Sequence, residues 1–274
     1  MLSDLNDVVA QAVRLFTELQ ELKKAYVPQV KQAQPSFTKE EWKEHREKGI
    51  LLFKYQKPVL DEVLCLRLAG DICDCIKRNR LELKDQVESV GHILDRVADG
   101  FFADFMQNNN RVSTTDFSFF SPQEEKLLNF VVGQSLHPSL EKYVSLLPQE
   151  VGDEKWQHGH CPVCGVMPNF SYLRQEDGKR YLICPFCGQE WYYRNLVCPW
   201  CGNDDHKSIS YLEVVEMPGY EVYVCDNCHS YLKTYNAKKA VSHDDWEIED
   251  VKTVALDLIA QKRGYTCPGK QLMM

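Results

Sequence analysis

The sequence has no apolar run approaching the roughly 18 residues that a helix needs to cross a bilayer. It also has no excess of positive charge: 40 Asp and Glu outnumber 32 Lys and Arg, for a formal net charge of −8. The imbalance is shared, because residues 1–150 and 151–274 each carry four more acids than bases. Affinity for nucleic acid comes mainly from Lys and Arg neutralising phosphates, so such a partner is disfavoured. A glycine-rich phosphate loop, a nucleophile elbow and a convincing acid/base pair are all missing. The N-terminus, MLSDLNDVVAQAVRLF, places Asp4 and Asp7 where a secretion signal would be basic. These absences predict a cytoplasmic protein with no membrane span and no nucleic-acid ligand, and they are compatible with a homodimer.

What the sequence has is cysteine, twelve residues of it, nine of them beyond residue 160. Disulfides are rare in a reducing compartment, so metal binding is the leading explanation. The uneven distribution marks a domain boundary. Before it, the apolar positions Leu5, Val8, Val9, Ala12, Val13, Phe16, Leu19 and Leu22 follow the spacing of a helix with one buried stripe. Thr38 with Glu41 predicts a capping box, and Pro58 suits the first turn of a helix through Val63–Leu68. A further helix is expected through Val90–Phe105. Ser121-Pro122-Gln123-Glu124 signals another helix start, and a short helix around Leu140, Tyr143 and Leu146 is expected to stop at Pro148. Beyond residue 160 short β-rich runs replace helices: 170–173, 180–183, 190–196, 208–215 and 220–224. A last helix is predicted through Trp246–Ile259, with Asp244-Asp245 as its cap and Gly264 as its stop.

Eight cysteines form four Cys-x-x-Cys knuckles: Cys161/Cys164, Cys184/Cys187, Cys198/Cys201 and Cys225/Cys228. Two intervening residues let a tight turn aim both sulfurs at one ion, and a glycine follows three of the pairs (Gly165, Gly188, Gly202) where the turn needs a positive φ. Two knuckles complete a tetrahedral site, so eight cysteines predict two tetrathiolate-bound ions. An internal repeat suggests the partners. CPVCG, SYL at 171–173, a turn at Asp177-Gly178 and YLIC in one unit match CPWCG, SYL at 210–212, a turn at Pro218-Gly219 and YVC in the other. A hairpin in each unit would bring Cys161, Cys164, Cys184 and Cys187 to one ion and Cys198, Cys201, Cys225 and Cys228 to the second. Interleaved pairing stays open, and the spacing does not separate iron from zinc. A saturated site holds no substrate water, which predicts no catalytic residue and no enzyme. His158, His160, His206 and His229 lie near knuckles and are expected as surface groups or neighbours of ligands. Cys65, Cys73 and Cys75 fall on different faces of a helix and are expected in the core. Cys267 has no evident partner.

HCPVCGVMP at 160–168, GKRYLICPFCGQEWYYRNLVCPWCG at 178–202, YVCDNCHSYLKTY at 223–235 and DDWEIEDVKTVALDLIAQKRGY at 244–265 resemble the formate dehydrogenase accessory proteins of the FdhE type. HPSLEKYVSLLP at 137–148 extends the resemblance over nearly the whole C-terminal half. It implies an α+β chain: a helical domain over 1–152, rubredoxin-like or zinc-ribbon metal modules over 153–193 and 194–236, and a C-terminal helix and tail over 237–274. It further implies a cytoplasmic maturation factor that binds the catalytic subunit of formate dehydrogenase, with the eight knuckle cysteines holding iron or zinc. A rubredoxin-like electron carrier is the alternative, and a zinc-ribbon nucleic-acid-binding protein a less favoured one.

Overall fold

The computed structural model describes residues 2–112, 121–240 and 242–272. Among them the helices are α1 (Leu2–Tyr26), α2 (Lys39–Glu47), α3 (Leu52–Tyr55), α4 (Glu62–Asn79), α5 (Lys84–Leu94), α6 (Phe101–Gln107), α7 (Pro122–Ser145), α8 (Trp246–Lys252) and α9 (Val254–Lys262). The strands are β1 (Phe170–Leu173), β2 (Arg180–Ile183), β3 (Glu190–Tyr192), β4 (Ile209–Glu213), β5 (Tyr220–Cys225) and β6 (Ser230–Asn236). The chain is thus helical first, then sheet, then helical again. It divides into two compact units, one from the segment ending at Ala33 with Pro58–Ser145, the other from Gln34–Lys57 with Leu146–Gln271. No described helix is long and apolar enough to cross a membrane.

In the first unit α4 packs against α1, α5 and α7. Its buried side chains are Leu64, Cys65, Leu68, Ala69, Ile72, Cys73, Cys75 and Ile76, so the three cysteines are core residues. Burial pushes the Cys65 thiol up to about 12 and those of Cys73 and Cys75 to about 11, which keeps all three protonated. Leu15 and Leu19 supply the buried stripe of α1, whereas Val8 is exposed and the Leu5 side chain lies outside the described residues.

Helix boundaries follow local chemistry. The boxes at Thr38/Glu41 and Ser121/Glu124 both close reciprocally. The helix expected from Pro58 instead starts at Glu62, because the Asp61 carboxylate accepts from Leu64 N at 3.0 Å and caps it. The periodic stretch 90–105 is two helices, broken where Gly100 turns to φ +89 before α6. Conversely, the helix from Pro122 and the short one expected around Leu140 are a single element. Pro138 lies inside α7, buried among Leu136, Ser139 and Leu140. Packing there offsets a cost of about 3 kcal/mol for an interior proline.

The second unit is built on one six-stranded sheet in the order β3-β2-β1-β6-β5-β4. β1–β3 and β4–β6 are each antiparallel, and the two trios meet through a parallel β1–β6 pair with Tyr172 opposite Tyr235. The two hairpin modules are therefore halves of one sheet rather than beads on a linker. All seven residues of β6 are buried. The sequence does not announce this strand because Ser230, Lys233, Thr234 and Asn236 break its apolar run and burial on both faces removes the alternation of a half-buried strand.

The expected last helix is divided at Thr253 into α8 and α9. Asp245 caps α8 by accepting from Glu247 N at 3.1 Å, and Gly264 follows α9 at φ +87. α9 packs on β5 and β6, where Val222, Val224, Tyr231, Leu256, Ala260 and Cys267 form one cluster. Cys267 is therefore a core thiol. Trp246 seats α8 on the other half-sheet: it stacks on Tyr172 at 5.0 Å, and its indole donates to Glu190 at 2.9 Å. Between these contacts the Lys233 ammonium, fully buried on β6, lies 2.5 Å from Asp250 and 2.9 Å from Asp257, and Lys270 reaches the same two carboxylates.

Candidate metal centres

Three knuckles share one backbone turn. The amide four residues after the first cysteine bonds back to that cysteine's carbonyl: Gly165 to Cys161, Gly188 to Cys184 and Gly202 to Cys198, at 2.9–3.1 Å. Each first cysteine's amide also bonds the carbonyl five residues on, that of Val166, Gln189 or Asn203. The turn carries the glycine into the left-handed region, at φ +83, +73 and +70. In the fourth knuckle the equivalent residue is His229, which adopts φ +53 although it has a Cβ. That position explains His229: it occupies a turn, and it joins neither cysteine group.

The sheet brings the knuckles together in two sets, Cys161, Cys164, Cys184 and Cys187, and Cys198, Cys201, Cys225 and Cys228. Within each set all sulfurs lie within 4.8 Å of one another. The closest pairs are Cys164–Cys184 at 3.3 Å and Cys161–Cys187 at 3.6 Å in the first, and Cys198–Cys228 at 3.5 Å and Cys201–Cys225 at 3.8 Å in the second. Disulfide sulfurs would sit about 2.0 Å apart. A tetrahedron with metal–sulfur bonds of about 2.3 Å has edges of about 3.8 Å, so the donor sets fit a four-coordinate thiophilic ion. The grouping is hairpin by hairpin, not interleaved.

Electrostatics point the same way. In the first set burial pushes the Cys164 and Cys187 thiols well above their ordinary value. Burial opposes ionisation of Cys184 too, but hydrogen bonds from Cys161, Cys164 and Cys187 outweigh it and hold that thiol well below. Four sulfurs packed this closely cannot all carry charge without a cation among them. The second set is more open: Cys198 and Cys225 are buried, Cys228 is half-buried and Cys201 is exposed.

A segment of the N-terminal half closes the first centre. The amides of Leu52 and Phe53, at the start of α3, donate to the carbonyls of Pro162 and Val163, the two residues between Cys161 and Cys164, at 3.0 and 2.9 Å. Leu51 lies so close that a Cβ on Gly165 would meet its Cδ1 at 2.5 Å. Trp42 of α2 stacks on Trp156 at 6.1 Å, and the Trp156 indole donates to the carbonyl of His160, next to Cys161. His158 and His160 flank that indole at 4.8 and 5.3 Å, and His206 is exposed; none belongs to a cysteine set. The only hint of the Leu51 segment in the sequence is the short apolar run Ile50–Phe53.

Comparison with known proteins adds an independent line. Residues 160–195, which hold the first cysteine set, match the family described as FdhE, central domain. A protein named FdhE homolog from Aquifex aeolicus is 30% identical over 147 residues, 52% of this chain and 50% of that one. Another from Stutzerimonas stutzeri is 32% identical over 118 residues, 42% of this chain and 38% of that one. Over about half its length the chain is similar to FdhE proteins. It spans about half the length of these FdhE relatives, or less, in the matched regions. The crystal structure of the FdhE protein from Pseudomonas aeruginosa has the same fold, with a TM-score of 0.63 at 21% identity over 95% of this chain and 88% of that one.

Proposed function

We propose that this chain is an FdhE-type accessory factor needed for an active formate dehydrogenase, that it works in the cytoplasm by binding the enzyme's catalytic subunit, and that it does not itself oxidise formate. The observation that carries this reading is the family match over residues 160–195, which hold the first two knuckles, joined to two donor sets that would each saturate an ion with four sulfurs. We assign Cys161, Cys164, Cys184 and Cys187 to one iron or zinc ion and Cys198, Cys201, Cys225 and Cys228 to the other. Such an ion, when bound, supplies cross-linking of the knuckles and, if it is iron, one electron. It offers no open position to a substrate. The chain's own residues do the rest: the knuckle amides orient the sulfurs, and the sheet presents a rigid surface that binds a partner at low ordering cost. Residues 1–152, 153–193, 194–236 and 237–274 are proposed as the successive functional segments.

The test is genetic and physical. In a host whose formate dehydrogenase depends on this gene, deletion should abolish enzyme activity at unchanged transcript level, and the tagged protein should capture the catalytic subunit. A Cys225→Ser/Cys228→Ser variant should behave like the deletion. Turnover of formate by the pure protein, or full activity and capture by a variant verified to lack its metal, would overturn the reading. A reversible one-electron titration with transfer to a defined acceptor would favour an electron carrier instead.

A further inference from the structure

Arg180 is a charged side chain in an unusual place. It belongs to β2, in the first half-sheet, yet its guanidinium reaches the second centre. It is 2% exposed and forms no ion pair with any described carboxylate. Its Nη2 donates to the carbonyls of Arg194 and, at 2.6 Å, Val197, the residue before Cys198. The cation lies over the rings of Tyr193 and Tyr223 at 5.5 and 5.8 Å. Its Nε has no acceptor, and neither has the indole N–H of Trp200 inside the third knuckle. Both residues line one small cavity, of about 10 Å³, whose wall includes Cys198 and Cys225.

A buried cation without a counter-charge is costly, and removing the partner of a buried charge is strongly destabilising. Four thiolates around a divalent ion carry a net charge of −2, and around a trivalent ion −1. We infer that Arg180 is the built-in counter-charge of the second thiolate centre, so that loading of that centre and docking of the first half-sheet against it are electrostatically linked. The inference rests on the metal reading above. Its chemistry is specific: the guanidinium offsets the anionic cluster, its Nη2 fixes the approach of the chain to Cys198, and its free Nε–H together with the Trp200 N–H is left to face thiolate sulfur or a single water in the cavity. Without the anionic metal cluster, Arg180 has no ion-pair partner among the described residues. Arg180 is a positioning residue, acting on the metal through charge.

The test uses the full chain loaded with two zinc ions and titrated with a chromogenic chelator. Alkylation of released thiols identifies which centre has emptied. Arg180→Met should loosen the ion held by Cys198, Cys201, Cys225 and Cys228 by about 10-fold or more and leave the other unchanged. In the zinc-free chain the same substitution should leave the thermal midpoint equal or higher, because it removes an uncompensated charge. Arg180→Lys should recover much of the affinity. Equal loss of stability with and without zinc, or Lys as poor as Met, would show a packing or hydrogen-bonding role and overturn the inference. Failure of the wild-type chain to hold two ions would instead overturn the metal reading.

Discussion

At the scale of single residues, the knuckle glycines separate two effects that usually come together. Gly165 and Gly188 have similar backbone angles, φ +83 and +73, but an added Cβ would strike Leu51 at Gly165 and meet nothing within 4 Å at Gly188. Gly188→Ala should therefore cost only the left-handed strain, about 1–2 kcal/mol, while Gly165→Ala should cost more and also speed loss of the first ion. Equal losses in urea midpoint would mean the Leu51 contact is soft. The Lys233 site makes a second residue-level prediction. Lys233→Met leaves Asp250 and Asp257 with Lys270 as their one remaining cation among the described residues, in a buried setting, and should lower stability by about 3 kcal/mol or more. Burial alone would push the Asp250 carboxyl up, but Lys233 and Lys270 outweigh it and hold it below the usual carboxylate value. A depressed carboxylate stabilises the fold at pH above its unfolded value, about 3.9, and loses that contribution as pH falls through the folded value. The stability gap between wild type and Asp250→Asn should therefore stay constant from pH 8 to about 5 and narrow only below about 4.

At the scale of elements, each centre is closed by its own three-stranded half-sheet, so the two should be separable. Cys161→Ser/Cys164→Ser should remove one ion and leave the other, measured as metal per chain. Loss of both would show that the parallel β1–β6 seam makes the half-sheets fold as one. The centres also differ in shelter. The first is covered by Leu51–Phe53, while the second exposes Cys201. A chelator should strip the second first, and alkylation during release should label Cys201 and its set before Cys161 and its set. The seam and the cover explain what was hard to read. The knuckles, five of the six strands and both capping boxes are local patterns of two to ten residues. β6 and Leu51–Phe53 earn their positions from contacts made far along the chain, and neither has a strong local signature.

At the scale of the whole molecule, purified protein should carry close to two iron or zinc ions per chain, with sulfur alone in the first shell by X-ray absorption. A nitrogen or oxygen neighbour, or one ion per chain, would contradict the two sets of four. The two compact units are not the two halves of the sequence. Gln34–Lys57 leaves the helical half to join the metal-bearing unit, held by the Leu52 and Phe53 amides and by Trp42 against Trp156. Truncation at the apparent boundary near residue 152 should consequently yield a fragment that binds its first ion less well than the full chain does. A fragment with undiminished affinity at that centre would show that the cover is dispensable.

The sequence by itself determined the four Cys-x-x-Cys knuckles and favoured their hairpin-by-hairpin grouping, because such a turn and the hairpin that follows it are local geometry that needs no distant partner; the structure decided against interleaving. The sequence also determined the helical character of the first half, through apolar periodicity and capping residues. The tertiary structure decided the rest: the joining of two repeats into one sheet, the recruitment of Leu51 to the first centre and the burial of Arg180 and Lys233. Those depend on which surfaces meet, and a charged residue is read from sequence as solvated until a fold supplies the opposite charge that allows it inside.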